Sequence, residues 1–148
     1  MKLYKFKYLM ILFALPLCFT ACEKDADQWL KDNTTIIGKL PVITSLRITP
    51  TQANNNVTAG QNVRLDLRFW SDDPIDKIEL KAAVGTNPSQ VVSTTLYQKA
   101  YSNISKTDSL LLNYTVPNVS AGTDINMEVV VVNKNTLTKN STLKLTVR

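Results

Sequence analysis

A seven-strand antiparallel β-sandwich is the fold class predicted for residues 41–148, and three observations predict it. Apolar residues recur at every second position in segment after segment, no window carries a helical period, and Gly38, Gly60, Gly85 and Gly122 all fall between the alternating segments. Alternation at period two marks a strand with one face in a core and the other in water. Seven such segments fill two facing sheets and leave no length for a second domain of ordinary size.

The elements follow in order. Val42, Thr44, Leu46 and Ile48 alternate before Pro50, and Val63, Leu65, Leu67 and Phe69 alternate against Arg64, Asp66 and Arg68. Ile78, Leu80 and Ala82 stand against Lys77, Glu79 and Lys81, and a weaker Thr/Val-rich segment covers residues 91–97. Leu110, Leu112, Tyr114 and Val116 run up to Pro117; Ile125, Met127, Val129 and Val131 follow; Leu143, Leu145 and Val147 close the chain. Residues 57–67 and 119–129 match each other: a small-residue turn, an Asn or Asp, then an alternating strand with an acid outward. A single pair of this kind is one turn device used twice, to lead into two strands that face each other across the sandwich. Residues 129–132 are apolar on both faces, so the strand that holds them is central and its outer face is covered. The expected cover is intramolecular, from the tether or a loop, with an outward Val130/Val132 contact for another protein as the alternative.

The N-terminus has a different character. Lys2, Lys5 and Lys7 precede an apolar run over residues 9–19, which is shorter than the roughly 20 residues a bilayer span needs. A basic stretch, a short apolar stretch and small residues before a cut site mark an exported precursor. The segment Phe19-Thr20-Ala21-Cys22 resembles the lipobox of bacterial lipoproteins, in which the cysteine is lipidated and becomes the new N-terminus. Residues 1–21 are then a signal peptide, and residues 22–40 a lipidated N-terminus and flexible tether with at most one helical turn. The acidic residues directly after Cys22 (Glu23, Asp25, Asp27) resemble the surface-export signal of Bacteroidetes lipoproteins. Together these imply a chain held by acyl groups in the outer membrane and facing the cell exterior.

Composition removes most function classes. The whole chain has 17 Lys+Arg against 12 Asp+Glu, and loss of the leader's three lysines leaves 14 against 12. With no Lys/Arg run in the body, nucleic acid is not an expected partner. Histidine is absent, which excludes Ser-His-Asp and Cys-His nucleophiles and every His metal site. Cys18 and Cys22 are the only cysteines, so residues 41–148 have neither disulfide nor thiolate chemistry. No P-loop, GxGxxG, CxxC or GxSxG string occurs. No cofactor is expected, and no catalysis.

The stretch from Pro41 to Arg148 resembles the small immunoglobulin-like, fibronectin-III-like or PKD-like domains of Bacteroidetes surface lipoproteins. The residues that carry the likeness are the Ala-Gly-x-x-Val/Ile strand lead-ins, Asp72-Asp73-Pro74-Ile75, and Tyr114-Thr115-Val116-Pro117. It implies the sandwich fold and leaves the ligand open.

Candidate chemistry is sparse. Asp72, Asp73 and Asp76 form the densest acidic cluster and are the candidate set for Ca²⁺, although Asp-Pro is also an ordinary turn starter. Trp70, Tyr97 and Tyr101 fall outside the inward phase, with Trp29 in the tether; flat aromatic faces beside the amides of Asn87, Gln98 and Asn103 suit a glycan. Trp70 and Tyr101 are the favoured pair. Asp108-Ser109-Leu110 resembles the short O-glycosylation site of Bacteroidetes exported proteins, which makes Ser109 its acceptor. Two functions compete: a binding or spacer module that assists glycan capture beside an outer-membrane protein complex, and a structural fimbrial or adhesin-type subunit. The membrane assignment has a direct check. Cys22→Ala should abolish acyl labelling and release the protein from the membrane fraction, and a variant that stays acylated and membrane-bound would show the anchor to be elsewhere.

Overall fold

The computed structural model describes residues 30–31, 34–35 and 37–148. The expected signal peptide (residues 1–21), the expected lipidation site Cys22, and Trp29 lie outside the described residues. The chain divides into a unit Met1–Ile36, in which Leu30 and Lys31 are helical and exposed, and a unit Ile37–Arg148.

That unit is all-β. Its strands are β1 (Val42–Thr49), β2 (Asn56–Val57), β3 (Asn62–Trp70), β4 (Ile75–Val84), β5 (Gln90–Leu96), β6 (Tyr101–Ser102), β7 (Thr107–Thr115), β8 (Asp124–Asn133) and β9 (Thr138–Val147). They form two sheets, one in the order β1-β3-β7-β6 and one in the order β2-β9-β8-β4-β5. The seven longer strands lie where alternation places them. The count is nine because β2 and β6 are two-residue bridges, too short to display a period. The pairing is antiparallel apart from β2 with β9, which is parallel.

The inward phases of the two sheets make one apolar cluster. Leu65, Leu67 and Phe69 of β3 and Leu112 and Tyr114 of β7 come from one side. Ile78 and Leu80 of β4, Ile125, Met127, Val129 and Val131 of β8, and Leu145 of β9 come from the other. Most of these side chains are completely sealed from water. The repeated lead-in serves both sheets: Gly60 and Gly122 have φ of +77° and +84°, and each turn closes with a bond from Gln61 N–H to the Thr58 carbonyl or from Thr123 N–H to the Ser120 carbonyl. Glycine at the third position of a four-residue turn is what a positive φ there demands. The strands that follow, β3 and β8, lie in opposite sheets.

Two details differ from the sequence reading. In β1 the inward residues are Ile43, Leu46 and Ile48, whereas Val42 and Thr44 face out. A bulge explains this: Ile43 pairs with Phe69 and Ser45 with Arg68, so Thr44 is an extra residue and the phase slips across it. The second concerns the doubly apolar stretch of β8. Val130 is only 8% exposed on the outer face, and its register neighbours are Glu79 and Asn140. Glu79 is held by Lys77 at 2.7 Å and Lys81 at 3.7 Å, and Asn140 donates to Glu128 Oε1 at 2.6 Å. Among the described residues, polar side chains of the same sheet stand on either side of Val130.

With no disulfide in the body, stability rests on this single core. Leu67→Asp or Val129→Asp places an unpaired carboxylate among sealed apolar side chains. Each should destabilise by about 4 kcal/mol or more and leave the chain largely unfolded in water, as read by urea titration of the β circular-dichroism signal.

Candidate functional site

Period two sends Arg64, Asp66, Arg68 and Trp70 of β3 to the outer face of the four-stranded sheet, opposite to Leu65, Leu67 and Phe69. The register sets their neighbours. Arg47 of β1 stands across from Asp66, with Leu111 of β7 on its other side; Ser45 and Ser109 flank Arg68, and Thr49 and Asn113 flank Arg64. Here lies an open polar depression of about 430 Å³, lined by Thr44, Ser45, Arg47, Asp66, Arg68, Ser105 and Thr107. Thr44 reaches this face because the β1 bulge adds it there.

The turn between β6 and β7 supplies one wall. Lys106 takes φ of +55° and its N–H donates to the Ser102 carbonyl at 2.8 Å, closing the turn. Thr107 Oγ1 donates to Ser105 Oγ at 2.9 Å, so the two hydroxyls are held as a pair. Arg68 approaches Asp66 at 3.5 Å. Among the described residues neither Arg47 nor Arg64 has a carboxylate within 4.0 Å, and both are exposed. Three guanidiniums and one carboxylate thus share a face, and two of the guanidiniums, the carboxylate and four hydroxyls line the depression. Such a surface can donate several charge-assisted hydrogen bonds and accept a few in return.

The aromatic candidates separate. Trp70 is 37% exposed and continues the outward series of β3. Tyr101, 44% exposed, sits on β6 in register with Asp108, which pairs with Phe69. It therefore belongs to the inward phase, one step out of line with Trp70, and its exposure comes from its place at the sheet edge. Both residues lie at one end of the sheet without sharing a face. Tyr97, expected off the core, instead meets Phe69 edge-on, with ring centroids 6.3 Å apart and planes at 74°. Its hydroxyl donates to Asp108 Oδ2 at 3.1 Å, and the Ala100 N–H donates to Asp108 Oδ1 at 2.8 Å. Asn87 belongs to the turn between β4 and β5 and Asn103 to that between β6 and β7, so the expected amides do not gather around one ring. Ser109 is exposed, but the Asp108 of its three-residue string is buried and occupied by Tyr97 and Ala100.

Two members of the acidic cluster have partners within the chain. Among the described residues no group of three His, Cys, Asp or Glu side chains stands close enough to hold a metal ion. Asp72 pairs with the Lys39 ammonium at 2.9 Å, chiefly through a hydrogen bond that holds this lysine above its ordinary pKa. Asp73 accepts the Lys39 N–H and the Asn135 amide, the latter at 2.8 Å. Asp76 is the extra residue of a bulge in β4 and is exposed. Buried Asn133 donates to the Lys39 carbonyl at 3.0 Å and to Ser71 Oγ at 2.9 Å. These carboxylates and amides dock residues 37–40 on the end of the sandwich. Gly38 makes the fit possible: with φ of +112°, a Cβ there would lie 2.2 Å from Asn135 Nδ2 and 2.5 Å from Asp73 Oδ2.

No family model matches the chain, and no curated protein does. Among solved structures, CopC from Methylosinus trichosporium OB3b is similar, with 16% sequence identity over 72% of this chain and 92% of that one, at a TM-score of 0.41.

The arginine depression escaped the sequence reading. Arg64 and Arg68 are legible as outward residues of one strand, but Arg47 joins them only through the β1–β3 register, and a search for basic runs misses charges gathered across strands.

The Tyr97–Asp108 contact yields a pH expectation. Burial, then the neighbouring Asp108 carboxylate, raises the Tyr97 phenol above its ordinary pKa of 10.0, and burial alone raises Tyr114. The unfolded chain then loses these protons first, so their contribution is complete below pH 10 and fades as pH rises past it. Urea midpoints should fall between pH 9 and pH 11. Tyr97→Phe should cost about 1–2 kcal/mol at pH 8, because buried Asp108 loses a donor, and should flatten the alkaline decline.

Proposed function

We propose that the chain is a lipid-anchored, non-enzymatic module on the outer face of the outer membrane, whose single immunoglobulin-like domain binds saccharide on its four-stranded sheet. The anchor rests on the lipobox-like segment ending at Cys22 and the acidic residues behind it. The domain assignment is supported by strand order: β1-β3-β7-β6 corresponds to A-B-E-D, and β9-β8-β4-β5 to G-F-C with an added C′ strand, while β2 is a short continuation of the first strand on the opposite sheet.

The observation that carries the binding reading is the outward Trp70 on the same face as an open, hydroxyl-lined depression. An indole face stacks on the apolar side of a pyranose ring, while hydroxyls, guanidiniums and a carboxylate answer its hydroxyl groups. Tyr101, at the same end of the sheet, is a lateral contact for a longer chain. Assistance to glycan capture beside an outer-membrane complex fits a module of this kind.

One observation favours the structural alternative. The edge strand β5 carries no charge, and Val91, Val92 and Leu96 are exposed along it, Leu96 by 72%. Uncharged edges accept strands from other chains, as in fimbrial and adhesin-type assembly.

Tryptophan emission separates the two. In a full-length Trp29→Phe background, titration with polysaccharides should shift the Trp70 emission, and Trp70→Ala should abolish binding measured by calorimetry while the β spectrum stays unchanged. Loss of the β spectrum in Trp70→Ala would identify Trp70 as core and bring the strand-edge reading forward.

A further inference from the structure

We propose that the depression on the four-stranded sheet selects acidic polysaccharides built from uronic acids, an inference that rests on the saccharide reading and narrows it. The charge balance on this face is the first ground. Arg47, Arg64 and Arg68 face out around Asp66 alone, and only Arg68 has that carboxylate within ion-pair distance. Arg47 and Arg64 project guanidinium forks into water, a geometry that matches planar carboxylates two bonds at a time.

Asp66 is the second ground, because it discriminates among anions. A ligand that is acceptor throughout, such as a polyphosphate or a nucleic-acid backbone, would meet repulsion from a carboxylate in the middle of the patch. A uronic acid carries a carboxylate and several hydroxyl donors on the same ring. Its acid group answers Arg47 or Arg68, and its hydroxyls donate to Asp66 and exchange hydrogen bonds with the Ser105–Thr107 pair. Spacing is the third. Arg64 and Arg68 are four residues apart on one strand, about 13 Å, which exceeds one sugar ring and calls for successive acidic units of a polymer. Trp70, two positions beyond Arg68 on the same outward series, extends the line toward the sheet end.

The test uses the full-length protein in detergent, with calorimetric titration against polygalacturonate, dextran sulfate and neutral dextran at low and high salt. The inference expects tight binding of polygalacturonate that weakens with salt. It expects roughly tenfold or greater loss in Arg47→Gln and in Arg68→Gln, and little change in the charge-matched Lys134→Gln control. Both arginines are exposed, and Arg47 lacks the ion pair of Arg68, so Arg47→Gln carries the test if Arg68→Gln perturbs the fold. Equal binding of neutral dextran with both arginine variants unaffected overturns the acidic selectivity and leaves the saccharide reading standing. Dextran sulfate binding as well as polygalacturonate, with equal loss in the lysine control, reduces the effect to bulk charge and also overturns it. Failure of every polysaccharide to bind overturns the selectivity and the saccharide reading together.

Discussion

The two sheets are held together by one apolar layer and nothing covalent, and the phase of that layer governs every outer surface of the molecule. Leu65, Leu67 and Phe69 must face Ile125, Met127, Val129 and Val131 across the interior. A slip of one residue in any strand would send its apolar set into water, so register is strongly specified. Because β3 is locked in this way, Arg64, Asp66, Arg68 and Trp70 have no choice but to face out.

Bulges are the second level of control. They let a strand satisfy the core and still change which residues it presents. In β1 the bulge turns Ile43 inward and hands Thr44 to the polar depression; in β4 a similar step buries Ile75 and leaves Asp76 in water. Such features cost little in the ladder and re-aim a side chain at a chosen spot. The depression depends on one of them, and on the tight β6–β7 turn that closes its other side.

Polar groups hold the ends of the sandwich in place of a disulfide. Asp72, Asp73 and Asn133 fasten the residues that lead into β1, and Asp108 ties the Tyr97 hydroxyl and the Ala100 amide to the start of β7. Asp72 and Asp73, two of the three carboxylates that a sequence reading takes for metal ligands, accept hydrogen bonds here. A hard cation would have to compete with an ammonium, an amide and a backbone N–H for the same oxygens.

The alternation of apolar residues was enough by itself to determine the all-β class, the positions of the seven longer strands and nearly the whole core, because the side-chain period of a strand is a local property of the chain. The twin turns at Gly60 and Gly122 were legible for the same reason, since a positive φ is a demand on a single residue. What tertiary structure alone decided was which strands lie side by side, and with it the candidate site. Arg47 and Asp66 are nineteen positions apart and meet only in the β1–β3 ladder. Tyr97 looked exposed until packing brought Phe69 and Asp108 against it, and Tyr101 looked like a partner for Trp70 until β6 took its register against β7. Strand pairing of this kind is long-range, and a single sequence holds no local signal for it.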